Sequence, residues 1–146
     1  MEYRKMGTTY YARIDRGEEI IASLLKICRR ESIRSAIFTG IGGCSEAEIQ
    51  TFIPEEGAFE TERIEGMLEL VNLTGNIIAD GEDGLYSHTH ATFACKQGQE
   101  HRVAAGHVKS ATVLYTAEIE LRPVCGGVIR KIYNAETGTG FWSLRE

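Results

Sequence analysis

The chain has 146 residues, of which 42% are hydrophobic and 25% are charged, and its formal net charge is −5 at pH 7. This length suits one compact domain, which can bury a core without disulfides or a structural metal. The acidic balance argues against broad electrostatic binding to nucleic acid or to anionic membranes, because both require a basic surface.

The first predicted elements are a strand and a helix. Residues Thr8 to Ile14 alternate and are rich in aromatic and β-branched side chains, which predicts a strand. The next segment, "RGEEIIASLLKICRRE", changes its period and places its apolar residues on one side of a helix. Acidic residues in the first turn and arginines in the last turn complement the helix dipole. We therefore predict a helix from about Glu18 to Glu31, the only strong helix signal in the chain.

The segment "SAIFTGIGGCSEAEI" predicts a strand interrupted by glycines. Gly40, Gly42 and Gly43 indicate a bulge or a close approach of two backbones. The letters "GIGG" also occur in dinucleotide-binding fingerprints. However, the residues that follow alternate like a strand and do not open a helix, so nucleotide binding is not expected here.

From Phe59 onward the chain is predicted to be mostly β. Turn-rich pieces separate strand-like segments, which are "AFETERI", "GMLELVNLTGNII", "LYSHTHATFAC", "SATVLYTAEIELRP", "VIRKIYN" and "GFWSL". No repeat or linker divides the sequence. The prediction is a single domain over residues 1–146 of the α+β class, with a mostly antiparallel mixed β-sheet and one main α-helix packed on a face.

The cysteines and the apolar runs indicate a cytoplasmic protein with reduced thiols. The four cysteines are widely spaced and form no CxxC pair, which argues against a zinc ribbon or a thioredoxin-like motif. No secretory signal is predicted, since the first residues lack an apolar core segment. No apolar run approaches the roughly 20 residues of a membrane span, so no membrane partner is expected.

Three of the four histidines fall within twenty residues. His88 and His90 are in "SHTH", and in a strand they would project from the same face with their Cα atoms about 6 to 7 Å apart. His107 follows in "AAGHVKS", after a hairpin long enough to bring it alongside, and Gly106 allows a close backbone approach there. His101 is in a polar loop and is expected to be solvated. The trio is consistent with a metal site, and equally with ordinary surface or core histidines.

As metal ligands, three neutral imidazoles without a nearby carboxylate favour zinc, or else another divalent transition metal such as nickel, copper or iron. Three ligands leave a fourth position open for water, a small molecule or an anion, as in catalytic zinc sites. Hydrolysis at such a site is feasible, because water bound to zinc ionises near neutral pH. Glu69 and Glu118 are in predicted strands and could face either the site or solvent, so no catalytic acid or base is assigned.

Together these segments resemble the PPC (plants and prokaryotes conserved) domain family, as its stand-alone prokaryotic members. The resemblance covers almost the whole chain and is most specific in "HTHATFACKQGQEHRVAAGHVKSATVLYTAEIEL". It implies a mostly antiparallel sheet with one long helix, assembly as a homotrimer, and a zinc or similar ion at His88, His90 and His107.

Plant members of the family are nuclear proteins, and their features are missing here. They use a Gly-Arg-Phe-Glu-Ile-Leu stretch to contact other nuclear proteins, whereas this chain has Met67 in place of the arginine. They read AT-rich minor grooves through a separate Arg-Gly-Arg-Pro hook. The only Arg-Pro of this chain is Arg122-Pro123, so direct DNA binding is not expected.

Three functions follow from these observations, in order of preference. The first is a trimeric metal-binding module that acts as a regulator or through partners. The second is a metal-dependent hydrolase acting on a small molecule. The third is a DNA-binding protein, as inferred from the plant relatives.

Overall fold

The computed structural model describes residues 1–145, and strands dominate the structure. In chain order the elements are β1 (Glu2–Met6), β2 (Thr9–Asp15), α1 (Ile20–Arg30), β3 (Ala36–Ile53), β4 (Ala58–Asp80), β5 (Gly84–Gln97), β6 (Glu100–Pro123), β7 (Arg130–Asn134) and β8 (Thr139–Ser143).

The eight strands form one sheet, and its four long strands close on themselves. β3 pairs with β4, β4 with β5, β5 with β6, and β6 returns to β3, all antiparallel. Strands of 14 to 24 residues can bend around such a closed ring because bulges interrupt their ladders. One register shift falls between Gly40 and Gly42, where the sequence predicts a bulge. The inward side chains of these strands form the core, including Leu68, Phe93 and Val113.

Two short hairpins extend the ring. β2 pairs with β6, and β1 pairs with β2 at the edge of the sheet. The sequence analysis missed β1, because "EYRKM" is polar and its side chains are mostly exposed. At the other end, β7 and β8 pair with each other, and β7 contacts β4 through Ala79 and Arg130.

The helix lies where it was predicted but is shorter. Its first turn contains no acidic residue, since Glu19 is the N-cap and accepts hydrogen bonds from the backbone N–H groups of Ile21 and Ala22. The same carboxylate also accepts from the N–H of Ala111 on β6, at 3.1 Å, and so ties the helix to the sheet. Within residues 1–145, no helix is long and apolar enough to cross a bilayer.

The predicted α+β class is wrong, because the protein is mostly β, with 70% of residues in strands and 8% in one short helix. Polar and glycine-containing pieces that were predicted as breaks lie inside strands. "AFETERI" and "GMLELVNLTGNII" form one strand through Gly66, and only Gly98 and Gln99 separate β5 from β6. The paired backbone supplies the hydrogen bonds of these segments, so weak local strand propensity does not end them.

Candidate metal centre

β5 and β6 carry the three histidines to one place. His88 and His90 lie on the outer face of β5, and Thr89 between them points into the core, where it is fully buried. On β6, His107 is the direct partner of His90 in the ladder. In an antiparallel ladder, the side chains of two directly paired residues project from the same face of the sheet. The hairpin therefore brings His107 alongside the other two, as the sequence predicts.

His107 is at the point where β6 leaves β5 and joins β3. It pairs with His90 in one ladder and with Gln50 of β3 in the other. The residue before it, Gly106, faces β3 so closely that a Cβ there would lie 2.8 Å from Cγ2 of Ile49 and 3.1 Å from the carbonyl oxygen of Gln50. This close packing holds the backbone beneath His107.

The three rings are spaced as metal ligands are. The Nε2 atoms of His88 and His90 are 3.2 Å apart, and one nitrogen from each of the three rings lies within 4.8 Å of the others. Tetrahedral zinc, with Zn–N bonds of 2.0–2.1 Å, holds its ligand nitrogens about 3.3 Å apart. The donor set therefore fits a transition-metal ion after a small adjustment of the rings. Among the described residues, this donor group contains no fourth ligand.

The environments of His88 and His107 favour the neutral form of imidazole, which binds metals. Partial burial lowers the pKa of His88, and the neighbouring His90 adds to this effect. Burial also lowers the pKa of His107, with smaller contributions from His88 and His90. The ring of Phe59 is 6.0 Å from that of His107, and the ring of Tyr86 is 6.5 Å from that of His88. A neutral imidazole presents a lone pair, which is what a metal ion requires.

A cavity of about 400 Å³ lies beside His88 and His90 on the outer face of the sheet. Two rows of paired residues cross its floor from β5 to β6. One row runs from His88 through Asn76 and Ile37 to Arg122, and the other runs from His90 through Thr74 and Thr39 to Glu120. Trp142 of β8 lines the same cavity and donates a hydrogen bond from Nε1 to Oδ1 of Asn76, at 3.2 Å.

The carboxylates considered from the sequence lie elsewhere. Glu69 pairs with Ala94 at a different part of β4, and Glu118 lines a second cavity of about 680 Å³. Glu120 is the carboxylate that lines the histidine cavity, and the sequence analysis missed it. Glu120 is two residues from Glu118, which predicts that both side chains lie on the same face of β6. Nothing in the local sequence predicts the cavity. His101 is exposed near the β5–β6 turn and is not in the donor group.

Comparisons with known proteins identify similar chains. The profile of the Plants and Prokaryotes Conserved (PCC) domain matches residues 1–124. A candidate DNA-binding protein from Bacteroides thetaiotaomicron is 28% identical, with a TM-score of 0.88 and coverage of 97% of this chain and 96% of its own. A plant- and prokaryote-conserved (PPC) protein from Pyrococcus horikoshii is 27% identical, with a TM-score of 0.84 and coverage of 99% and 96%.

A metal-containing protein from Archaeoglobus fulgidus shares the fold at 23% identity, with a TM-score of 0.83 and coverage of 97% of this chain and 96% of its own. No protein with a curated description matches the chain.

Proposed function

The chain belongs to the Plants and Prokaryotes Conserved domain family, and on that premise we propose that it binds a divalent transition metal, zinc in the first place, through His88, His90 and His107. The observation that carries this proposal is the convergence of three ring nitrogens within 4.8 Å on one exposed face. The lowered pKa values of His88 and His107 support it, because protons then compete less with the metal.

The metal would act as a Lewis acid with one position open to water or to a small ligand. The three imidazoles hold it, and the hairpin between β5 and β6 fixes two of them as ladder partners. The function we favour is that of a regulatory or partner-binding module.

A metal-dependent hydrolase is the second candidate, and one observation favours it. Glu120 lines the cavity that His88 and His90 border, on its β6 side, and so offers a carboxylate for proton transfer to a substrate bound in that cavity.

We also propose that the protein assembles as a homotrimer. Tyr11, Ile41 and Val71 surround the second cavity and are 41%, 58% and 54% exposed. Exposed apolar side chains on an outer sheet face, here among charged neighbours such as Arg4 and Arg13, favour a partner, and symmetric self-association is the commonest way to cover them. Sedimentation equilibrium should give three times the mass of 16.2 kDa. A monomer or dimer mass across micromolar concentrations would contradict the trimer.

DNA binding is the third candidate, inferred from the plant relatives, and the name of the Bacteroides relative adds to it. The net charge of −5 opposes it, since binding to phosphates depends on neutralisation by basic side chains. At about 150 mM salt, we expect the protein not to raise the fluorescence anisotropy of a labelled DNA duplex. Binding that weakens steeply with salt would restore this candidate.

Elemental analysis of the purified, untagged protein tests the metal site. We expect about one transition-metal ion per chain after zinc addition and dialysis. His88→Ala and His107→Ala should each lose this metal, because two imidazoles do not hold zinc against dialysis. His101→Ala is the matched control and should keep it. Retention of metal in both site variants, with their folds intact by circular dichroism, would place the metal elsewhere.

A further inference from the structure

The cavity beside the histidines has imidazole groups on one side and charged groups on the other. Its β5 side presents two metal-ligating imidazoles, and its β6 side presents Arg122 and Glu120. The row from His88 to Arg122 crosses three strand pairs. At about 4.8 Å for each step, the path along the sheet between the two Cα atoms is about 14 Å, and the curvature of the sheet makes the direct distance shorter. Both residues line the cavity, so a small molecule that spans it can contact both sides.

Arg122 is available to bind a ligand. Within residues 1–145 neither Arg122 nor Glu120 forms an ion pair, although the two other arginines on the long strands, Arg63 and Arg102, both do. A guanidinium group presents paired N–H donors that match the two oxygens of a carboxylate. The cavity volume of about 400 Å³ is within the range of small-molecule sites.

We propose that this cavity binds a small organic acid with two anchoring ends, one at the histidine site and one carboxylate on Arg122. The inference rests on the proposed metal site, because the open metal position accounts for the first end. Arg122 is a binding residue in this scheme. Glu120, two residues earlier on the same face, limits the affinity for a second negative charge and accepts a hydrogen bond from a ligand hydroxyl or amine.

The floor of the cavity is mainly polar. Thr39, Thr74 and Asn76 line it with polar side chains, and Ile37 adds an apolar surface. Trp142 also lines the cavity, and its hydrogen bond to Asn76 holds the amide of Asn76 in place. A short organic ligand would therefore lie over a mixed floor, on which Ile37 offers the apolar contact and the threonines offer hydroxyl groups.

Isothermal titration of the zinc-loaded full chain tests this inference. The probes are acetate, malonate, succinate and glutarate at constant ionic strength, and the zinc content of each sample is measured first. We expect at least one of the dicarboxylates to bind about 10- to 100-fold more tightly than acetate, which is the usual effect of a hydrogen-bonded charge.

Three variants separate a binding role from a structural one. Arg122→Gln should reduce dicarboxylate affinity to that of acetate and leave acetate binding unchanged. Glu120→Gln should strengthen dicarboxylate binding several-fold, because it removes a like charge. Arg63→Gln, which removes an exposed arginine outside the cavity, is the control for net charge and should change neither affinity.

The outcomes distinguish this inference from the metal site. If zinc is bound at one per chain and dicarboxylates bind no more tightly than acetate, the inference is overturned and the metal site stands. The same holds if Arg122→Gln binds the dicarboxylates as the unaltered protein does. If the protein binds no zinc, the proposed function fails and this inference fails with it.

Discussion

Gly75 lies beneath the histidine site. Its replacement by alanine tests how closely the residues beneath that site are packed. In β4 it pairs with Phe38 of β3 on one side and with Thr89 of β5 on the other. A Cβ at this position would overlap the ring of Phe38 and lie 2.5 Å from the carbonyl oxygen of His88. Phe38 is only 4% exposed and cannot swing away, and the oxygen belongs to the backbone of the ladder. The strand that carries His88 must therefore shift.

The expected cost follows from this overlap. Overpacking of a well-packed core costs about 1–3 kcal/mol. For a chain of this size, each kcal/mol lowers the melting temperature by about 2–4 °C, so Gly75→Ala should melt about 2–12 °C lower. Displacement of groups that orient metal ligands costs about 10- to 100-fold in metal affinity, and we expect the same loss of zinc affinity here.

Two measurements and one control decide the matter. Circular dichroism of the metal-free protein gives the melting temperature, and titration against a competing chelator gives the zinc affinity. Gly127→Ala is the control, because a Cβ there meets nothing within 4 Å and the backbone is not left-handed. It should melt at the same temperature or slightly higher, since alanine restricts the unfolded chain. If Gly75→Ala matches Gly127→Ala in both measurements, the packing argument is refuted.

Three further predictions concern protonation, thiol reactivity and the helix cap. The pKa values of His88 and His107 are lowered, so zinc affinity should stay constant from pH 8 to about 6.5 and fall only below it. The unfolded chain takes up protons first, so the metal-free protein should also lose stability as the pH falls through 6.5; a loss of either above pH 7 would contradict the sign. Burial raises the pKa of Cys28 to about 12, so iodoacetamide at pH 8 should modify the exposed Cys125 and spare Cys28, as peptide mass spectrometry would show. Glu19→Ala removes the helix cap and a bond to β6, and should cost about 1–2 kcal/mol in urea unfolding; an unchanged midpoint would show that the cap is dispensable.

The sequence predicted local features of the fold better than its class. The periodic apolar residues of α1 located the helix to within two residues at each end. The glycines near Gly42 predicted an irregular strand, and the ladder of β3 is shifted there. The class was wrong because strand length depends on pairing. Gly66 has a left-handed backbone and looks like a strand end, yet β4 continues through it because β3 pairs on both sides.

For the site as well, the sequence predicted the local features. The spacing of His88 and His90 determined that they share a face, because side chains alternate along a strand with a period of two. The turn signals in the hairpin predicted that His107 would join them, and the ladder places it opposite His90. That these residues bind metal stays a prediction.

Only the tertiary structure decided what faces the histidines. Arg122 reaches the row of His88 through the register of three separate strand pairs, and that register depends on bulges in β3 and on closure of the ring. Alternation is a property of neighbouring residues and can be read from the sequence. Register joins residues far apart in the chain, and a shift of one residue would turn each of them to the opposite face.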